Sequence, residues 1–161
     1  MTQRTRIVIA VAVLLVVVGA ILGIEALRRR SSEPALEPGS IPIVLDGKVV
    51  AGFAATDLKR LTKVSLVEPV EKKTQEGWLL RDVLLLYVDE GKLKPDSAIA
   101  VSSSVRNKSA HLTWAEVEDP ANWVLFDLSN RGTLKLVSVL EKLDTRDEWV
   151  QDVDRIEIAT P

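Results

Sequence analysis

The chain has 161 residues with 21 Lys and Arg, 23 Asp and Glu, one His and no Cys, for a net charge of −2. That length suits about one domain, and the missing cysteines exclude disulfides, thiolate metal sites and cysteine nucleophiles. Residues 1–30 hold five Arg and one Glu, which leaves 16 basic against 22 acidic residues and a net charge of −6 on the rest. An acidic domain repels phosphate backbones, so no nucleic-acid partner is expected.

Residues 1–30 read as an N-terminal membrane anchor. Ile7 to Ile24, IVIAVAVLLVVVGAILGI, carries no charged or polar side chain. As a helix it spans about 27 Å, close to the hydrocarbon thickness of a bilayer. The run is longer than a signal-peptide core and no A-x-A-like site follows it. The lipid bilayer is thus the expected partner of residues 7–24. Arg4 and Arg6 precede the span and Arg28, Arg29 and Arg30 follow it, so the positive charges are nearly balanced. The short head favours a cytoplasmic N-terminus and an extracytoplasmic domain. Residues 31–40, SSEPALEPGS, read as a semi-extended linker.

The domain begins at Ile41 and runs to residue 161. Ile41 to Leu45 reads as a strand, Asp46-Gly47 as a hairpin turn, and Lys48 to Val50 as the returning strand. Thr56 is expected to cap a short helix, 57–61, with Asp57 in its first turn. Val64 to Val70 reads as a strand. Leu80, Val83, Leu84, Tyr87 and Val88 form an apolar helical stripe, stopped by Gly91. Ala98 to Ser102 is a strand, and Ala110, Leu112 and Trp114 alternate in another. Thr113 to Glu116 is a capping-box pattern opening a short helix that ends at Pro120. Strands follow at 123–128 and 133–140, joined by a turn at Ser129–Gly132. A polar loop spans 144–148, a helical turn 149–153, and Ile156 and Ile158 alternate in a last strand. Many short strands with a few short helices make a mixed, mostly-β α+β domain, preceded by one transmembrane helix.

Ser102, Ser103, Ser104, Arg106, Asn107 and Lys108 form the most promising polar stretch. Its hydroxyls, guanidinium and ammonium suit an anion, and the alternative is a solvated hairpin loop. His111 lies on the polar phase of its strand, as a ligand-binding group or a lone surface imidazole. Trp78, Trp114, Trp123 and Trp149 read mainly as core, and the run Asp144, Asp147, Glu148, Asp152 and Asp154 as a solvated acidic face. No metal site, P-loop or Ser-His-Asp arrangement is present in the sequence.

Three stretches resemble a known family. Gly77-Trp78-Leu79-Leu80-Arg81-Asp82-Val83-Leu84 is similar to the helix opening of the oxidoreductase molybdopterin-binding domain, the fold of the sulfite oxidase family, in its small stand-alone bacterial form. Leu134-Lys135-Leu136-Val137 resembles one of that family's strands, and residues 149–158 resemble its closing segment. The resemblance implies the sulfite oxidase-type fold and a molybdopterin cofactor. The Cys that ligates molybdenum in catalytic members has no counterpart in Lys63–Lys73 or elsewhere. The expectation is a non-catalytic module that binds a ligand or an envelope protein partner. The alternatives are a molybdopterin-dependent oxidoreductase or redox-complex component, and an envelope assembly protein.

Overall fold

A computed structural model describes residues 35–67, 72–129 and 131–161. The expected anchor at 7–24, the first part of the linker and residues 68–70 of the third predicted strand lie outside the described residues. Among the described residues no helix is long and apolar enough to cross a membrane. Pro34–Pro161 forms one compact unit.

The unit is mostly β, with nine strands in two sheets among the described residues. Strands β1 (Ile41–Leu45), β2 (Lys48–Phe53), β5 (Ala98–Ser103), β6 (Lys108–Thr113) and β9 (Arg155–Ala159) form a five-stranded sheet in the order β2-β1-β9-β5-β6. Strands β3 (Val64–Val67), β4 (Thr74–Leu79), β7 (Leu125–Leu128) and β8 (Leu134–Val137) form a four-stranded sheet in that order. All pairings are antiparallel except β1 with β9. Helix α1 (Leu80–Leu85) continues directly from β4, and α2 (Trp114–Glu118) from β6.

In the five-stranded sheet, β5, β6 and β9 alternate between core and solvent. Ile99, Val101, Ala110, Leu112, Ile156 and Ile158 are buried, and their neighbours Ala98, Ser109, His111 and Glu157 face outward. The buried set meets Leu80, Val83 and Leu84 of α1, Trp114 and Val117 of α2, and Phe126, Leu134 and Leu136 of the second sheet in one core. Phe53 stacks on Phe126 at 6.4 Å between ring centroids. The four-stranded sheet is covered on both faces. Behind it Leu66, Leu125, Val137 and Trp149 form a smaller apolar cluster.

Several elements differ from the sequence reading. The Asp46-Gly47 turn forms as expected, with both φ angles positive at 49° and 77°. The 57–61 helix is a 3-10 segment, Ala55–Arg60, and Thr56 does not cap it. Instead Ala54 N–H donates to the Asp57 carboxylate at 2.9 Å. Gly91 does not stop α1, which ends at Leu85; Gly91 lies in a separate 3-10 turn, Glu90–Lys92. Pro120 opens a further 3-10 turn. The 123–128 strand starts only at Leu125, because Trp123 is left-handed at φ 45°. The 133–140 strand is confined to Leu134–Val137, and Ser138 Oγ donates to the Asn122 carbonyl instead. Residues 149–153 are not helical. Val150 bridges Leu136, and Val153 N–H donates to the Leu134 carbonyl, so the segment covers the β8 edge. The end of the linker is folded too: Ser40 N–H donates to the Glu37 carbonyl at 3.0 Å, and Ser40 packs on Gly52.

Candidate functional site

A cavity of about 300 Å³ opens between the β1–β2 hairpin and the β7–β8 hairpin. Ile41, Phe53, Leu58, Leu134 and Val153 form its apolar walls. The β5–β6 turn reaches its mouth through Val105, which is 79% exposed, and Leu128 at the end of β7 is 42% exposed beside it. Solvated valine and leucine side chains at the rim of an apolar cavity are surface that a ligand would cover.

Asp152 and Asp154 close the polar side of this cavity. Asp152 is left-handed at φ 56°, and its side chain is only 15% exposed. Its carboxylate accepts from Thr133 Oγ1 at 2.7 Å, Arg106 Nε at 2.7 Å and Arg131 Nη2 at 3.2 Å. The Thr133 hydroxyl first, then the Arg106 guanidinium, hold its carboxyl below the usual carboxylate range. Asp154 accepts from the Ser104 N–H at 2.8 Å and from the Ser104 hydroxyl. These bonds fasten the β5–β6 turn to the 152–154 segment.

The residues singled out in the sequence thus fall into two groups. Ser103, Ser104 and Arg106 belong to the structure at the cavity mouth. Ser103 is buried, and its Oγ accepts from Arg106 N–H at 3.3 Å. Asn107 supplies the positive φ of 49° that closes the turn. Lys108 turns to the Asp147 carbonyl. Ser102 lies on the outer face of β5, and His111 lies exposed on β6, 3.2 Å from Ser109 Oγ. The structure does not bring Ser102 or His111 to the cavity.

Asp152 and Asp154 are the residues that sequence reasoning passed over, as part of an acidic face. They are not solvated with their neighbours, because two arginines, a threonine and a serine from other segments converge on them. The sequence signal was opposite charge at a distance: Arg106 and Arg131 each have a carboxylate to meet. Of the tryptophans, Trp114 and Trp149 are buried and Trp78 and Trp123 half-buried, as core residues would be.

The donor set bears on the cofactor that the resemblance implies. The chain has no sulfur donor besides its one Met, and the described residues hold no cluster of three His, Asp or Glu side chains fit for a metal ion. These residues do not fit a thiolate-ligated molybdenum. Compared with known proteins, the sequence matches no protein-family model and no curated protein.

Proposed function

We propose that this chain is a membrane-tethered, extracytoplasmic binding module of the sulfite oxidase molybdopterin-binding type, without metal redox chemistry. Its ligand is a small molecule with an apolar body, seated in the cavity between the two hairpins. The tether is the apolar run 7–24, which holds the module beside the bilayer. The fold assignment rests on the resemblance of 77–84, 134–137 and 149–158, and a mostly-β unit with two sheets is compatible with it.

The observation that carries the binding reading is the cavity itself. It combines apolar walls, exposed Val105 and Leu128 at its mouth, and a rim on which Asp152 is paired with Arg106 and Arg131 and Asp154 is hydrogen-bonded to Ser104. A rim bonded in this way holds the mouth in shape without demanding a charge from the guest. Burying an apolar guest then gains about 25 cal/mol for each Å² removed from water.

The test is a fluorescence titration of the unit Pro34–Pro161, which carries its own core, with anilinonaphthalene sulfonate. Saturable one-site binding is expected, weakened at least tenfold by Val105→Asp or Leu128→Asp. Both side chains are exposed, so both variants should keep the fold. Absence of saturable binding, or equal binding by the variants, would reject the reading.

A further inference from the structure

A second cleft, of about 410 Å³, lies on the other face of the four-stranded sheet. That face begins with the apolar cluster of Leu66, Leu125, Val137 and Trp149 and then changes character. Asp127 and Lys135 are cross-strand partners on it, and Gly77 pairs with Asp127, which puts Gln75 on the same side two residues along β4. Three neighbouring strands therefore place polar side chains where the apolar cluster would otherwise extend.

The Lys135 ammonium is held in place. It forms an ion pair with Asp127 at 2.8 Å, donates to Gln75 Oε1 at 2.9 Å, and lies 4.7 Å from the centroid of the Trp149 ring. An ammonium has three donors, of which Gln75 takes one, while Asp127 and the Trp149 ring meet its charge. Its side chain is only 17% exposed, and a fixed, desolvated cation costs little further ordering on binding. Arg146 lines the same cleft and forms no hydrogen bond or ion pair with the described residues. It brings a planar fork of donors that matches an oxyanion. Lys73 adds positive charge. Among the described lining residues Asp127 is the one carboxylate, and it is already paired with Lys135.

We infer that this cleft is a binding site for a compact oxyanion, with the Arg146 guanidinium and the Lys135 ammonium as its receptors. Arg146 takes two oxygens, Lys135 a third, and Gln151 and Ser129 border the site. This site is separate from the apolar cavity, and its occupancy does not depend on the ligand proposed there.

The experiment titrates inorganic phosphate into the full chain, in a neutral-detergent micelle at low ionic strength. It follows the ¹⁵N resonances of the Trp149 indole and of Arg146 Nε. A saturable shift of both signals is expected, with affinity reduced about tenfold in Arg146→Gln. The guanidinium is exposed, so that variant should keep the dispersed spectrum of the parent. A parallel titration with acetate separates two sources of the same chemistry. Saturation by both anions supports an oxyanion site that also accepts carboxylates, and saturation by phosphate alone supports a tetrahedral one. Shifts that never saturate, that chloride reproduces at equal ionic strength, or that survive unchanged in Arg146→Gln would overturn the inference.

Discussion

Gly77 shows how one residue sets the spacing of two strands. It pairs with Asp127 in the β4–β7 ladder, and a Cβ at this position would lie 1.9 Å from the Phe126 carbonyl oxygen. The obstacle is backbone, which cannot swing aside as a side chain can. Gly77→Ala should therefore destabilise the unit by about 3 kcal/mol, at the upper end of overpacking costs, read as a lower denaturant midpoint. Asp152 acts through charge. Its folded pKa is depressed, so its stabilising contribution is fully present above the ordinary carboxylate value of about 3.9 and is lost as pH falls through the folded value below it. Asp57 behaves in the same way, its carboxyl lowered chiefly by the Tyr87 hydroxyl, which donates to it at 2.6 Å. A plot of thermal midpoint against pH should fall steeply below about pH 4. Asp152→Asn should lower the midpoint at neutral pH and flatten part of that acid slope. A slope unchanged by the substitution would contradict the Arg106–Asp152–Arg131 assignment.

Elements whose burial follows a simple period were legible in the sequence; those defined by their neighbours were not. Strands β5, β6 and β9 alternate between core and solvent. The Thr113–Glu116 capping box forms with both its bonds, Thr113 N–H to Glu116 Oε2 at 2.8 Å and Glu116 N–H to Thr113 Oγ1 at 3.3 Å. Thr113→Ala should cost about 1 kcal/mol, checked by chemical denaturation. Strand β4 was missed because its inward positions carry Gln75 and Gly77, which show no apolar alternation. The 149–153 segment was misread because Trp149, Val150 and Val153 share a helical spacing. Their burial comes instead from lying across the β8 edge, which spacing along one chain does not reveal. The candidate site was half legible for the same reason. The polar β5–β6 turn stood out, but the walls Ile41, Phe53, Leu58 and Leu134 come from distant segments, and Asp152 and Asp154 gained their partners only through folding.

At the scale of the whole molecule, one sheet has a single buried face and the other has two. That asymmetry creates both recesses: an apolar cavity on the shared-core side and a cationic cleft behind the second sheet. Neither recess has a donor set for a soft metal. The full chain, purified from membranes of cells that make molybdopterin, should contain far less than one molybdenum per chain by elemental analysis. Stoichiometric molybdenum would contradict the binding-module reading. The most direct test of that reading is a ¹³C-methyl spectrum of the unit Pro34–Pro161 titrated with N-phenyl-1-naphthylamine, an uncharged probe that offers the cationic cleft no charge to hold. The methyls of Leu58, Leu134, Val105 and Val153 should shift together and saturate at one stoichiometric site, with Leu66 and Val137 behind the second sheet unmoved. Shifts that are absent, or that spread equally over both faces of that sheet, would contradict it.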